Sequence, residues 1–179
     1  SNIRILNWIN LVKPDLVIMY QAKNDLNYIS NIPDNPSMAL GVASFSLIET
    51  VGSFGAICGD GIPVIPYGIE EIKQRDNLSI WQRNFPNRKE IISKKIKFKI
   101  KKLLRAVINE GTGKKVSKIP IDIIGKTGTS QKNRDAWFIG CAKDHVVGVW
   151  VGRDDDKSMQ NVFGSTIPLD IFKEIILAL

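Results

Sequence analysis

Three runs, IDIIGKTGT (residues 121–129), AWFIGCA (136–142) and VVGVWVG (146–152), follow one another closely and decide the fold class. They are rich in β-branched and aromatic residues and bounded by turn formers, which marks strands rather than helices. Lys143 and Asp144 sit at the turn between the second and third, so three consecutive antiparallel strands are expected.

Working outward, Ile96, Ile100, Leu103, Leu104, Val107 and Ile108 recur at helical spacing within Ser93 to Glu110, while Lys94, Lys95, Lys97, Lys101, Lys102 and Arg105 lie largely off that stripe. This predicts an amphipathic helix with a basic outer face, stopped by Gly111 and Gly113. On the other side, Leu169, Phe172, Ile175, Ile176 and Leu179 share one face of a closing helix over Pro168 to Leu179, with Ser165 or Thr166 near its cap. Towards the start, residues 3–12 and Asp15 to about Ile29 read as helices on either side of Pro14, and Asn31 to Ser37 as a loop. Met38 to Ile57 is apolar and small, with Leu47, Ile48, Val51 and Phe54 able to line one helix face before Gly59, Gly61, Pro63 and Pro66 end it. Ile69 to Lys73 and Leu78 to Trp81 look like short strands. The order fits an α/β layered domain of the α+β type, an antiparallel sheet flanked by helices.

Composition agrees with a folded domain. The chain has 179 residues, 44% hydrophobic and 24% charged, enough for one core. No apolar run approaches the ~20 residues of a membrane crossing, and the N-terminus lacks a basic-then-apolar signal pattern, so these residues are expected to be soluble by themselves. The net charge of +7 is unevenly placed: thirteen basic and two acidic residues lie between Arg83 and Lys118, a local +11 that leaves −4 elsewhere. No zinc-finger spacing, ribonucleoprotein motif or basic-zipper heptad accompanies it, so the reading is a solvated helix face and not a nucleic-acid site. Cys58 and Cys141, 83 positions apart, form neither a disulfide scaffold nor a metal-ligand spacing, and the redox compartment stays open. His145 alone makes a His-rich zinc site improbable and reads as a strand residue beside a turn; any nucleophile here needs a base other than a His relay. Asp154 to Asp156 without a coordinating loop read as solvated.

Chemistry concentrates in Gly125-Lys126-Thr127-Gly128-Thr129-Ser130, where a cation, hydroxyls and unhindered backbone meet at a strand end. A phosphate-cradling Walker A loop would need glycine five positions before Gly125, and that position is Pro120. The other reading is the Lys-Thr-Gly element that lines the site of acyl-serine transferases and β-lactamases. Each residue also has a structural alternative: Lys126 as a solvated strand end, Thr127 and Thr129 as ordinary strand residues, Gly128 as a bulge.

The longer string favours the Lys-Thr-Gly reading. Lys-Thr-Gly-Thr-Ser is followed by RDAWFIG (134–140) and GVWVGRDD (148–155), which resembles the end of the transpeptidase domain of bifunctional, class A penicillin-binding proteins. LRAVINEGTG (104–113) resembles that family's helix ending in Gly-Thr-Gly, PSMALGVASFSLIET (36–50) its Leu-Gly segment, and Gly164-Ser165-Thr166 the Gly-Ser-Thr before its last helix. Departures are Ser46 where proline is common, Gly52 to Ile57 in place of an alanine-rich helix, and Arg153 where tyrosine is frequent. The resemblance implies a partial penicillin-binding transpeptidase or β-lactamase-like fold, with residues 1–179 as a C-terminal fragment of that domain.

It also implies a serine D,D-transpeptidase that cross-links peptidoglycan stem peptides through an acyl-serine and binds β-lactams. Yet no serine here has Lys three positions later and no Ser-x-Asn occurs. The family places Ser-x-Asn about forty residues before the Leu-Gly segment, which lands on Asn2, so Ser1 stands at the variable position and Ser-x-x-Lys is expected further upstream. The chain by itself is therefore expected to be inactive. By the resemblance, Lys126 supplies positive charge beside the nucleophile. Thr127 and Thr129 offer hydroxyls to the carboxylate of a D-alanyl-D-alanine stem peptide or a β-lactam. Gly128 admits substrate backbone, the Thr129 N–H is one oxyanion donor, and Ser130 is the variable end. Trp137, Phe138 and Trp150 are read as packing, and Asp135 as a partner of Arg134 or Lys132. No cofactor or metal is implied. An upstream glycosyltransferase domain and a membrane anchor, with this domain on the outer side, come with the family. A non-catalytic interaction module on the same fold and a β-lactam-hydrolysing enzyme are the alternatives.

Overall fold

The computed structural model describes residues 45–85 and 89–179. The readings for residues 3–12, Asp15 to Ile29 and Asn2 lie outside them. The elements, in order, are α1 (Leu47–Cys58), β1 (Glu71–Lys73), β2 (Ser79–Gln82), α2 (Lys94–Asn109), β3 (Ile123–Thr129), β4 (Asp135–Ala142), β5 (His145–Gly152) and α3 (Ile167–Ala178), with single 3₁₀ turns at Lys114–Val116 and Gln131–Asn133. β1 and β2 form a separate two-stranded ribbon, in which Ile72 faces Trp81.

The three expected strands form one antiparallel sheet in the order β3-β4-β5. Its register sets Gly125 opposite Gly140, Lys126 opposite Ile139 and Gly128 opposite Trp137, and β5 continues with Trp137 opposite Trp150. Strand alternation then separates two faces. One carries Ile123, Phe138, Ala142 and Val149, packed with Leu169, Phe172 and Ile176 of α3 and with Ile108 and Val116. The other carries Ile124 and Cys141, packed with Leu104 of α2 and with Phe54, Ile57 and Cys58 of α1. Covering both faces explains why β4 is buried over nearly its whole length.

Phe138 is the pivot of the larger core. Its ring meets Phe172 edge-on at 4.6 Å between centroids, a favoured aromatic arrangement. A Cβ on Gly125 would come within 2.7 Å of Phe138 Cζ, and one on Gly140 within 2.9 Å of Phe138 Cε1. The paired glycines thus leave the space that the ring fills, which makes Gly125 a packing residue immediately before Lys126.

Several expectations change in detail. α1 begins at Leu47 because Ser46 caps it: Glu49 N–H donates to Ser46 Oγ, and the Glu49 carboxylate accepts from Ser46 N–H at 2.8 Å. The serine that departs from the family's proline is thus a helix start. Leu47 and Val51 of that helix do pack on the sheet, at Gly148, but Ile48 is 59% exposed and the buried positions are Gly52, Gly55 and Ala56. Gly55 packs on Val64 of the following segment, where an added Cβ would come within 2.6 Å of Val64 Cγ2, and Gly148 on the strand leaves the space for Leu47 and Val51. In α3, Ile175 and Leu179 are exposed, and the buried face is Pro168, Leu169, Phe172 and Ile176. Thr166 stands at its N-cap position without a capping bond, since its hydroxyl exchanges bonds with Phe163 N–H and C=O.

The cysteines are bonded to each other. Cys58 ends α1, Cys141 lies in β4, and their Cα atoms are 6.4 Å apart, within the span a disulfide bridges. The separation of 83 positions hid a cross-link that joins one covering helix to the central strand. Asp135 pairs with neither Arg134 nor Lys132; its carboxylate accepts from Trp150 Nε1 at 3.0 Å, while Arg134 pairs with Asp156 at 2.7 Å.

Candidate active site

The chemistry-bearing string occupies β3 and the turn after it. Among the described residues β4 is the strand's sole sheet partner, so its far side is an edge. Ser130 N–H donates to Asp135 C=O at 3.0 Å. The antiparallel ladder alternates, so the N–H groups of Thr129 and Thr127 turn away from β4 towards that edge. A strand normally protects such an edge. Here it leaves backbone donors available beside Lys126.

Lys126 lies on the α1 side of the sheet and Thr127 and Thr129 on the α3 side, as neighbouring strand positions must. Lys126 is exposed as a residue, but its Nζ folds back and donates to the Thr127 carbonyl at 2.7 Å. Partial burial of that head group pushes its pKa below the ordinary lysine value of 10.5. No ion pair to Lys126 is found among the described residues, so its charge is available to an incoming anion.

Each hydroxyl has a hydrogen-bond partner. Thr127 Oγ1 lies 2.7 Å from Thr112 Oγ1, in the Gly-Thr-Gly turn after α2. Thr129 Oγ1 accepts from Gly164 N–H at 3.1 Å and keeps its own proton to donate. Gly164 seats its loop directly on the strand, since a Cβ there would come within 2.4 Å of Trp137 O and 2.6 Å of Gly128 O. Ser130 Oγ accepts from Asp135 N–H at 2.8 Å, which fixes the turn from β3 into β4. Gly128 is half-buried and faces Trp137, whose Cβ would be 3.2 Å from an added Cβ.

The structure therefore brings Lys126, Thr127, Gly128, Thr129 and Ser130 together on one strand end. Sequence reasoning noted Thr112 and Gly164 as parts of similar segments without giving them a place; the structure sets both against this strand. Thr112 lies in the turn after α2 and Gly164 in the segment between β5 and α3, so only the packing of these segments shows their contact with β3. His145 is an exposed residue opening β5, away from the strand end that carries Thr127 and Thr129. Asp155 is held well below the usual carboxylate range by Arg153 and then by Lys157, and Asp156 by contact with Arg134 is also in an ion pair. No group of three or more His, Cys, Asp or Glu suited to a metal is found among the described residues.

Comparison with known proteins agrees with this geometry. The penicillin binding protein transpeptidase domain matches residues 25–177. Penicillin-binding protein 1A of Aquifex aeolicus is 30% identical over 172 residues, covering 96% of this chain and 23% of that protein. Penicillin-binding protein 1B of Buchnera aphidicola is 31% identical over 139 residues, 76% of this chain and 18% of that protein. The chain thus spans about a quarter or less of the length of these relatives. Among solved structures, penicillin-binding protein 1A from Haemophilus influenzae superposes with a TM-score of 0.76 at 21% identity, over 97% of this chain and 32% of that one. PonA1 from Mycobacterium tuberculosis in complex with penicillin V gives 0.67 at 22%, over 82% and 42%. A helix-flanked antiparallel sheet with Lys-Thr-Gly-Thr on its edge strand and a family match over most of its length place this chain in the penicillin-binding protein transpeptidase family, among relatives of the class A kind.

Proposed function

We propose that these residues form the Lys-Thr-Gly side of a peptidoglycan D,D-transpeptidase site, with the nucleophilic serine supplied by sequence outside them. The observation that carries this reading is the exposed edge of β3, where a cation, two hydrogen-bonded hydroxyls and outward N–H groups converge. A stem peptide ending in D-alanyl-D-alanine lies along such an edge as an added strand, and Gly128 leaves room for its backbone. Lys126 attracts the terminal carboxylate, and Thr127 and Thr129 donate to it. The serine oxygen, its proton taken by the lysine of Ser-x-x-Lys and then passed to the departing amine, attacks the penultimate D-alanine carbonyl, and the developing oxyanion is held by the Thr129 N–H and the serine's own N–H. Collapse expels the terminal D-alanine and leaves an acyl-serine, which the amine of a second stem peptide then attacks to form the cross-link and release the serine. A β-lactam presents the same carboxylate and carbonyl. By the resemblance, Asn2 is read as the asparagine of Ser-x-Asn.

The bonded cysteines support an oxidising compartment, in keeping with a membrane-anchored protein that holds this domain on the outer side and a glycosyltransferase domain upstream. Among the described residues no helix is long and apolar enough to cross a membrane. The test is covalent labelling by a fluorescent penicillin. The 179-residue chain takes no label, and the full-length protein carrying Ser-x-x-Lys takes one per molecule. Stoichiometric labelling of the 179 residues overturns the placement of the nucleophile.

A further inference from the structure

We propose that Thr112 is a positioning residue that aims the Thr127 hydroxyl at the carboxylate of the acyl donor, an inference that rests on the transpeptidase reading above. Thr112 Oγ1 and Thr127 Oγ1 are 2.7 Å apart, and they come from different elements, the turn after α2 and the edge strand. Two hydroxyls at that distance share one proton donor, and either can be it. With no anion bound, Thr127 is free to donate to Thr112, which turns its proton away from the site. With a carboxylate on the strand edge, the chain runs Thr112 O–H to Thr127 Oγ1, then Thr127 O–H to the carboxylate, and each bond polarises the next.

The turn is built to hold Thr112 still. Gly113 N–H donates to Val107 C=O at 2.9 Å, Lys114 N–H to Gly111 C=O at 3.2 Å, and Val116 N–H to Gly113 C=O at 3.1 Å. Gly113 is buried, and a Cβ there would come within 2.7 Å of Ile108 Cδ1. Ile108 and Val116, on either side of the turn, are 2% and 1% exposed in the main core. The hydroxyl of Thr112 is thus carried by backbone that packing fixes at both ends. Thr129 is aimed separately, by Gly164 N–H, so the two carboxylate donors have independent supports.

The experiment measures the second-order rate of acylation by a fluorescent penicillin in the full-length protein, for Thr112→Val, Thr112→Ser, Thr127→Val and the double variant Thr112→Val with Thr127→Val. Thr112→Val lowers the rate by about five- to tenfold, the worth of one hydrogen bond. The loss lies mainly in the concentration dependence of labelling and not in its limiting rate, and Thr112→Ser restores it. In the Thr127→Val background Thr112→Val has no further effect. The proposal is overturned by a rate within twofold of the unsubstituted protein, or by an equal loss in the Thr127→Val background, which would mark a structural role. Thermal melting within about a degree of the unsubstituted protein accompanies Thr112→Ser; a variant that melts early and loses limiting rate as well also counts against positioning. If the unsubstituted full-length protein takes no label, the transpeptidase reading falls and this inference with it.

Discussion

Lys126 is the one cation of the Lys-Thr-Gly-Thr-Ser string. Its position beside an apolar sheet face partly strips water from the ammonium and lowers its pKa from 10.5. The charged form, which on the proposed reading attracts a carboxylate, therefore persists below the lowered pKa and is lost as pH rises through it, earlier than for an ordinary lysine. In the full-length protein the penicillin acylation rate should begin to fall on the alkaline side below pH 10.5. Lys126→Arg, which stays charged, moves that fall upward; Lys126→Ala lowers the rate about ten- to a hundredfold, the worth of a charge-assisted hydrogen bond, and removes the alkaline limb. The limb staying in place in Lys126→Arg would assign the titration to another group.

At the scale of elements, the three strands were legible because alternation and tight turns are local properties, and β3, β4 and β5 differ from the expected spans by one or two residues at their ends. The Lys-Thr-Gly string was legible for the same reason. Thr112 and the Cys58–Cys141 bond were not, since both join residues brought together by packing across many positions. The cap at Ser46 was written plainly in Ser-x-x-Glu yet read as a departure from proline. Ile175 and Leu179 fit the helical spacing, yet among the described residues both are exposed. Two predictions belong here. Phe138→Ala empties the space that Gly125 and Gly140 leave and should cost about 3–5 kcal/mol in urea unfolding of the chain. Arg105 grips Asp122 with two bonds, of 3.1 and 2.6 Å, tying α2 to the approach to β3. The pair is exposed, so Asp122→Asn should cost only about 0.5 kcal/mol at neutral pH. Because Arg105 lowers the Asp122 pKa below 3.8, the contribution is present above that value and disappears as pH falls through the lowered one; the two proteins should converge in acid.

Among the described residues the sheet is held between α3 on one face and α1 and α2 on the other, and the disulfide makes the α1 attachment covalent. Closing an 83-residue separation limits the unfolded chain, so Cys58→Ala should lower stability by about 2–4 kcal/mol under oxidising conditions and by nothing once the parent chain is reduced. The basic surplus of α2 is partly spent on structure: Lys97 and Lys101 donate to the Gly59 and Cys58 carbonyls that end α1, and Arg105 holds Asp122. On the proposed reading, one half of the site's chemistry lies on β3 and the nucleophile lies outside these 179 residues. Mapping the adduct after penicillin treatment of the full-length protein, by peptide mass spectrometry, tests that division most directly. The predicted result is a single acylated serine with lysine three positions later, outside these residues; an adduct on any of the serines within them would contradict it.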